Sequence, residues 1–250
     1  MSVANKRYLI TGAAADSDIG LAICKKLDEC GARLILVGRR EQALNETLNQ
    51  LKGSDHVVSP FDLSHLQDIA AWVKELIKQH GALDGLVHSA SYQGYSPLRS
   101  ISPKQINQYF DINFSAAVML TAAVSKAKHV NPGASLVFIG SAAGQRGLKA
   151  RTLYAASKAA LSSMVQSAAL ELAAKQIRVN CVAPAVVSGK KAEQQFATLG
   201  EEQSQKLKDA HPLGLSKPQD VANSVYFLLS DLSRNTTGIT LAVDGGFLAG

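Results

Sequence analysis

The sequence predicts an α/β fold: a single domain with a doubly wound, seven-stranded parallel sheet and helices on both faces. Short apolar runs alternate with helical patterns along all 250 residues, which is the order of repeated βαβ units. The apolar runs are continuous rather than alternating with polar residues, as is typical of parallel strands buried on both faces. No linker, repeat or low-complexity segment interrupts this order, so residues 1–250 are expected to form one domain.

Seven short runs rich in β-branched and other apolar residues are the strand candidates. They cover residues 7–11, 33–37, 55–59, 84–88, 134–139, 177–182 and 239–243. Six helical stretches follow them in turn, at residues 18–30, 40–52, 65–80, 103–129, 152–175 and 217–230. Gly31 is well placed to end the first helix, and the prolines after Ser102 and Lys217 are well placed to begin two others. This arrangement is of the Rossmann type.

One segment departs from the alternation. Residues 188–216 are polar, rich in Lys, Glu and Gln, and lie between the sixth and seventh strand candidates. The segment is either a solvated connection or a lid over a site at the strand ends. The catalytic residues described next favour a short substrate lid at about 188–216.

Composition limits the functional classes. The formal net charge is +6, but the Lys and Arg residues are scattered, which suits anionic small molecules and gives no indication of nucleic-acid binding. Cys24, Cys30 and Cys181 are odd in number and lack CxxC spacing, so we expect no metal site and a reducing, cytoplasmic setting. No uninterrupted apolar stretch of about 18 residues occurs, so we expect no membrane association.

A catalytic pair is suggested by Tyr154 and Lys158. Their i, i+4 spacing places the phenol and the ammonium on one face of a helix. A nearby cation stabilises phenolate and lowers the pKa of a tyrosine, as a general acid for a carbonyl oxygen requires. Ser141 follows a buried strand 13 residues upstream, where residues at the carboxyl end face the site crevice. Asn113 lies inside a largely apolar helix, where an amide needs a partner.

These four residues, at this spacing, resemble those of the short-chain dehydrogenase/reductase family, in particular its members of roughly 250 residues similar to 3-oxoacyl-thioester reductases. The resemblance covers almost the whole chain and includes residues 177–184 and 228–246.

The resemblance implies a role for each of the four residues. Tyr154 transfers a proton to or from the substrate oxygen. Lys158 lowers the pKa of Tyr154 and binds the nicotinamide ribose, while Ser141 orients the carbonyl or alcohol. Asn113 holds a water that links Lys158 to solvent. Hydride passes between the nicotinamide and the substrate carbon.

The resemblance also indicates which cofactor is bound. Relatives that prefer NAD have an acidic residue at the end of the second strand, where this chain has Gly38 followed by Arg39 and Arg40. A glycine leaves room for a 2′-phosphate, and a guanidinium binds phosphate in a bidentate manner, so we expect NADP(H). The expected cofactor-binding residues are Gly12, Ile19, Gly20, Gly38, Arg39, Arg40, Asp62, Leu63, Ser89, Ala90, Tyr154, Lys158, Pro184 and Val187.

The glycine-rich turn departs from the family pattern. Relatives have Thr-Gly-x-x-x-Gly-x-Gly, whereas residues 11–20 are two residues longer and carry Asp16 and Asp18. We expect Asp18 to be the N-cap of the first helix and Asp16 to point into solvent. The longer turn resembles that of enoyl-thioester reductases, but those enzymes have their tyrosine seven residues before the lysine, where this chain has Arg151.

Two further departures concern the cofactor pocket. The family's Asn-Asn-Ala-Gly is here His88 to Ser91, which gives Ser91 a side chain where the cofactor ribose passes. His88 is expected to be a buried, hydrogen-bonded residue rather than a metal ligand. Gly189 stands where relatives have a threonine that contacts the nicotinamide carboxamide.

The substrate pocket is expected to include Tyr92 and Gln93 beside Ser141 and Tyr154. A 3-oxoacyl thioester is the first expectation, and a sugar or other polyol is the alternative. A different class of function, a catalytically silent NADP-binding sensor or subunit, also stays open because of the departures. Members of the family pair through their two long helices, so we expect a homodimer or homotetramer.

Overall fold

Seven parallel strands form one sheet in the computed structural model, which describes residues 3–250. The strands are β1 (Arg7–Thr11), β2 (Arg33–Gly38), β3 (Val57–Pro60), β4 (Leu83–His88), β5 (Val130–Ile139), β6 (Arg178–Pro184) and β7 (Thr240–Val243). Their order across the sheet is β3-β2-β1-β4-β5-β6-β7. The predicted seven-stranded parallel sheet is thereby confirmed. Apolar side chains of its strands are buried on both faces of the sheet, as is typical of parallel strands.

Helices cover both faces of the sheet. They are α1 (Asp18–Glu29), α2 (Glu41–Leu48), α3 (Ile69–His80), α4 (Pro103–Phe110), α5 (Ala116–Val124), α6 (Thr152–Leu172), α7 (Lys190–Ala197), α8 (Glu201–Asp209) and α9 (Pro218–Leu229). One apolar layer joins α1, α2 and α9 to the sheet, and the other joins α3, α5 and α6. The predicted double winding is confirmed by these two layers.

The predicted helix over residues 103–129 is interrupted. A π-helical segment, Asp111–Ser115, separates α4 from α5, and α5 ends at Val124. Because π-helical turns inside helices occur frequently at functional sites, this interruption marks the position of Asn113 as unusual. The apolar residues after it continue the helix and pack into the core.

The predicted second helix, over residues 40–52, ends earlier, at Leu48. The buried Asp28 carboxylate accepts hydrogen bonds from the backbone amides of Lys52 and Gly53, at 2.8 and 2.9 Å. It also meets the His56 Nε2 atom at 2.8 Å. These contacts fix residues 52–56 as a loop, so β3 begins at Val57 rather than at residue 55.

The polar segment 188–216 is folded rather than a plain connection. It contains α7 and α8, and its two ends are joined by a backbone hydrogen bond of 2.8 Å from Ser188 to Ser216. The two ends of the segment are therefore fixed to each other beside β6 and β7.

The strand order reverses at β1, which lies between β2 and β4. Chains of this kind bind ligands in the crevice at the carboxyl ends of the strands, at such a switch point. Thr11 and His88 end the two strands there, and the Ser89 amide donates a hydrogen bond of 3.2 Å to the Thr11 carbonyl.

Candidate active site

A cavity of about 770 Å³ opens at the carboxyl ends of β4, β5 and β6. Residues that follow these strands line it together with residues of α6, α7 and α8. The predicted residues that line it are Ile19, Ser89, Tyr92, Gln93, Ser141, Tyr154, Lys158, Pro184 and Val187. This cavity therefore brings together residues from five separate stretches of the chain.

Lys158 lies on α6 and is almost completely buried, with 1% of its surface exposed. Its Nζ atom donates a hydrogen bond of 2.8 Å to the Ile139 carbonyl at the end of β5. Burial lowers the pKa of Lys158 to about 8, because a charged ammonium loses its hydration there. The lysine is thus held at the strand end, 5.8 Å from the centroid of the Tyr154 ring.

Tyr154 is buried beside Ser141, which follows β5. Burial raises the pKa of Tyr154, and the Ser141 hydrogen bond, the charge of Arg151 and the Ser91 hydrogen bond act in the opposite direction. Burial therefore outweighs the three contributions that lower the pKa, one of which is the charge of Arg151. Arg151 is the residue at the position of the enoyl-reductase tyrosine.

Asn113, in the π-helical segment, is completely buried and has partners at both ends of its amide. Its Oδ1 atom accepts hydrogen bonds from the Tyr92 amide at 2.7 Å and the Ser91 hydroxyl at 3.2 Å. Its Nδ2 atom donates to the Tyr92 carbonyl at 2.9 Å and to Ser157 at 3.0 Å. The side chain thus fixes the loop after β4 to α6 and lies outside the cavity lining.

The glycine-rich turn packs too tightly for side chains. A Cβ atom on Gly12, which has a φ of +69°, would lie 2.7 Å from the Ala90 amide nitrogen. A Cβ atom on Gly20 would lie 1.9 Å from the Gly12 carbonyl oxygen. Close approach of the turn to the start of α1 leaves backbone amides free to face a ligand, as in dinucleotide sites.

The expected N-cap is wrong by one residue. Ser17 is the N-cap of α1, and its hydroxyl accepts a hydrogen bond of 3.3 Å from the Gly20 amide. Asp18 is the first helical residue and lies against Gly189, where a Cβ atom would be 2.6 Å from its carboxylate. A serine hydroxyl accepts a hydrogen bond from a free amide at a helix start as well as an aspartate carboxylate does. Asp18 is therefore not needed as the cap and faces the start of the segment 188–216.

Asp16 is exposed to solvent, as expected, but it is not without a partner. Its carboxylate forms an ion pair of 2.5 Å with Arg40, and the two side chains are 58% and 63% exposed. The pKa of Asp16 is lowered, first by this hydrogen bond with Arg40. One of the two arginines expected to bind a 2′-phosphate is thus already paired with the glycine-rich turn.

The other expected adenosine-end residues meet at the edge formed by β2 and β3. Gly38 lies beside Pro60 in the sheet, and its carbonyl accepts a hydrogen bond of 2.9 Å from the Phe61 amide. Against the effect of burial, the pKa of Asp62 is lowered first by hydrogen bonds with Ser64 and to a smaller extent by the charge of Arg39.

The Leu63 side chain is buried in the core, so its backbone alone is available to a ligand. The predicted residues outside the cavity lining are Gly12, Gly20, Gly38, Arg39, Arg40, Asp62, Leu63, Ala90 and Asn113.

Several cavity residues were not predicted as site residues. They include Ser91, Lys149, Arg151, Lys191 and the polar residues Gln194 and Gln195. Ser91 and Arg151 had a signal in the sequence, because each replaces a residue of the family pattern. The others had none, since the contribution of Lys191, Gln194 and Gln195 depends on how the segment 188–216 folds, and that of Lys149 on the loop before α6.

His88 is a buried residue of the sheet, as expected. Its Nδ1 atom lies 2.9 Å from the Thr11 hydroxyl, which also accepts a hydrogen bond of 3.3 Å from the Ala90 amide. Burial and the charge of Lys158 lower the pKa of His88 to about 3, so the imidazole is neutral. The histidine connects the ends of β1 and β4 beneath the crevice.

Two observations on residues 3–250 concern other kinds of site. These residues contain no group of three or more His, Cys, Asp or Glu side chains placed to hold a metal ion. None of the helices described above has both the length and the apolar character needed to cross a membrane.

Comparison with known proteins gives consistent matches over the whole chain. The family model described as enoyl-(acyl carrier protein) reductase matches residues 12–248. L-xylulose reductase of Bos taurus is 32% identical over 254 aligned positions, which cover 100% of this chain and 99% of that protein. D-erythrulose reductase of Gallus gallus is 32% identical over 253 positions, covering 99% of this chain and 98% of that protein.

A solved structure agrees with the fold described above. A short-chain type dehydrogenase/reductase from Mycobacterium ulcerans matches with a TM-score of 0.92 at 26% identity, covering 100% of this chain and 92% of that chain.

Proposed function

Because the chain belongs to the short-chain dehydrogenase/reductase family of oxidoreductases, we propose that it uses NADP(H) to interconvert a small hydroxyketone of the sugar type and its polyol. The observation that carries this proposal is the convergence of Ser141, Tyr154 and Lys158 on one cavity at the strand ends. A hydroxyl, a phenol and an ammonium in this arrangement are suited to proton transfer at a carbonyl oxygen.

The residues of the glycine-rich turn fit a nicotinamide dinucleotide. Gly12 and Gly20 allow the turn and α1 to approach within contact distance, so backbone amides at the start of α1 are available to the pyrophosphate. When bound, the cofactor supplies or accepts the hydride. The protein residues supply orientation and the proton.

NADP(H) rather than NAD(H) is supported by the end of β2. Gly38 has no carboxylate to bind a ribose 2′-hydroxyl, and Arg39 is exposed beside Asp62. The guanidinium of Arg39 is the cation available to a 2′-phosphate, because Arg40 is paired with Asp16.

The reacting proton is held on Tyr154. At neutral pH its raised pKa keeps the phenol protonated, so it donates a proton to the carbonyl oxygen during reduction. Ser141 hydrogen-bonds the same oxygen and orients it. The Lys158 ammonium, held by the Ile139 carbonyl, stabilises the phenolate that forms and binds the nicotinamide ribose. Asn113 contributes to this mechanism indirectly, because its amide fixes the cavity loop at Tyr92.

Ketone reduction is favoured over enoyl reduction by Arg151. Enoyl-thioester reductases have a tyrosine at this position, and a guanidinium does not replace a phenol as proton donor at neutral pH. The names of the relatives, L-xylulose reductase and D-erythrulose reductase, support a sugar-type ketone better than the 3-oxoacyl thioester that the sequence favoured.

The test is NADPH oxidation with a panel of four- and five-carbon ketoses and one 3-oxoacyl thioester. The wild type is expected to reduce ketoses with a higher kcat/KM than the thioester, and Tyr154→Phe is expected to lose at least about 100-fold. NADPH binding should survive this change. Turnover that survives Tyr154→Phe would contradict the assignment. Tight NADPH binding without turnover of any ketone would instead indicate a sensor or subunit.

We also propose that the segment 188–216 is a lid and that the protein is a cytoplasmic homodimer or homotetramer. The lid proposal is supported by the fixed ends of the segment and by the cavity residues on α7 and α8.

The cytoplasmic proposal is supported by three unpaired cysteines. Exposed Leu170 on α6 and Ile106 on α4 support assembly through these helices. Light scattering tests the assembly, and a mass of one chain would contradict it.

A further inference from the structure

The charges that line the cavity are unequal in sign. Among residues 3–250, its lining contains four cations, Lys149, Arg151, Lys158 and Lys191, and one acid, Asp18. A cavity lined in this way attracts anions. Neither hydride transfer nor a neutral ketose requires the additional cations, so their positions need a separate explanation.

The cations divide into two groups by position. Lys191 is the second residue of α7, which starts beside Asp18 at the glycine-rich turn, so this pair belongs to the cofactor end. Lys149 and Arg151 lie just before α6, the helix that carries Tyr154, and both line the cavity with it. The substrate end therefore has two cations and no acid among the described lining residues.

Arg151 is held in place by neutral partners. Its Nη1 atom donates a hydrogen bond of 3.1 Å to the Gly94 carbonyl, and its guanidinium carbon lies 4.2 Å from the centroid of the Tyr95 ring. No acidic side chain of residues 3–250 forms an ion pair with it. A half-buried guanidinium with one edge anchored and no carboxylate partner has N–H groups left for an anionic ligand.

Arg151 is also close to the proposed proton donor. Its guanidinium carbon lies 5.9 Å from the centroid of the Tyr154 ring. A small ketone whose oxygen reaches the Tyr154 phenol therefore lies within a few bond lengths of the guanidinium. An anionic group on such a ketone, a few carbons from the carbonyl, would meet Arg151 directly.

We propose that Arg151, assisted by Lys149, binds an anionic group of the substrate, so that the substrate is a hydroxyketone carrying a carboxylate or a phosphate. This inference rests on the proposed reduction of a sugar-type ketone and defines its substrate class further. It concerns substrate binding, whereas Tyr154, Ser141 and Lys158 serve the reaction itself.

The experiment compares three substrates with NADPH: a neutral ketopentose, the same ketopentose with a terminal phosphate, and a keto-hexuronate. The variants are Arg151→Met, Arg151→Lys and Lys149→Met. The control is Arg99→Met, which removes an exposed arginine outside the cavity lining. The readouts are kcat and KM for each substrate, with thermal unfolding to establish that each variant is folded.

The wild type is expected to prefer one anionic substrate over the neutral ketopentose by at least about tenfold in kcat/KM. Arg151→Met is expected to reduce this preference by about 10- to 100-fold, mainly through a higher KM for the anionic substrate, so the anionic substrate should lose more kcat/KM than the neutral one. Arg151→Lys should retain part of the preference, Lys149→Met should lose a smaller part, and Arg99→Met should retain all of it. Whether the phosphate or the carboxylate is preferred identifies the group.

An equal loss of kcat/KM for neutral and anionic substrates in Arg151→Met would overturn the inference and assign Arg151 to the loop or to the Tyr154 pKa. A wild type that reduces the neutral ketopentose as well as both anionic substrates would overturn it as well, while the proposed ketose reductase function would stand. If Arg151→Met does not fold, the inference is decided by the preference for anionic over neutral substrates in the wild type and in Arg151→Lys. A wild type that reduces no ketone would overturn both proposals.

Discussion

Asp16 and Arg40 form an ion pair of 2.5 Å that joins the glycine-rich turn to the end of β2. These are the two segments expected to enclose the adenosine end of the cofactor. The pair occupies a guanidinium that could otherwise bind a 2′-phosphate. If the cofactor is NADP(H), as proposed, the lengthened turn supplies an internal anion that would compete with the 2′-phosphate for Arg40.

Replacement of Asp16 by Asn should therefore tighten NADPH binding. An exposed ion pair contributes up to about 1 kcal/mol, so we expect a Kd for NADPH about threefold lower and an unchanged Kd for NADH. Fluorescence titration with both cofactors measures this difference. The effect should shrink in high salt, because exposed charges are screened.

Asp55→Asn is the matched control for the Asp16 prediction. Asp55 forms an exposed ion pair of 3.4 Å with Arg33 at the opposite end of β2. It should leave both dissociation constants unchanged. Weaker NADPH binding by Asp16→Asn would show that Asp16 positions Arg40 for the phosphate rather than competing with it.

Lys158→Met should lose activity and gain stability. A buried ammonium whose pKa falls from 10.5 to about 8 costs about 3 kcal/mol of folding free energy at neutral pH. Loss of the hydrogen bond to Ile139 offsets about 1 kcal/mol of the gain. We expect the variant to be about 2 kcal/mol more stable at pH 7, with kcat reduced at least about 100-fold.

The sign of the pH dependence provides a check on Lys158→Met. Below pH 8 the lysine is charged in both folded and unfolded wild type, so the gain is complete. Between pH 8 and 10.5 the folded wild type loses the proton first, so its stability rises with pH and the gain disappears. Denaturant unfolding at pH 7 and pH 10 measures this. A gain that grows with pH would contradict it.

Asn113→Ala should destabilise the protein and impair catalysis together. It leaves the Tyr92 amide without its 2.7 Å hydrogen bond and releases the loop that lines the cavity. We expect a loss of about 2 kcal/mol and about tenfold in kcat/KM. Asn131→Ala, which removes a single exposed hydrogen bond to Asp84, is the control and should change neither. Normal kcat/KM in Asn113→Ala would exclude a positioning role.

Features that depend on residues close together in the sequence were predicted correctly. Features that depend on contacts between distant residues were not predicted. Each strand was predicted from a continuous apolar run, and Tyr154 and Lys158 were paired from helical spacing alone. The π-helical segment was not predictable, because Asn113 is held there by Tyr92, 21 residues away. The Asp16–Arg40 pair depends in the same way on a contact across 24 residues.

Gly20→Ala should weaken NADPH binding. The added methyl group would lie 1.9 Å from the Gly12 carbonyl oxygen, so α1 must move away from the turn. We expect a loss of at least about 2 kcal/mol in stability and at least about tenfold in NADPH affinity. Gly147→Ala, where no atom lies within 4 Å of the added carbon, should change neither quantity in calorimetry. Unchanged affinity in Gly20→Ala would place the cofactor elsewhere.

Ser91→Ala should move the pH dependence of alcohol oxidation. The Ser91 hydrogen bond favours the phenolate and so lowers the pKa of Tyr154, against the larger effect of burial. Without it the pKa of Tyr154 rises, and the phenolate that accepts the substrate proton forms only at higher pH. The rate of oxidation at neutral pH should fall by about tenfold, the equivalent of one charge-assisted hydrogen bond.

Reduction uses the protonated phenol, which Ser91→Ala leaves in place at neutral pH, so its rate should change little. The measurement is kcat/KM for oxidation and reduction from pH 6 to pH 11, with Ser100→Ala as an exposed serine control outside the cavity. The oxidation profile should shift to higher pH in Ser91→Ala alone. If both directions slowed equally without a shift, Ser91 would act only through its 3.2 Å contact with Asn113 and not on the phenolate.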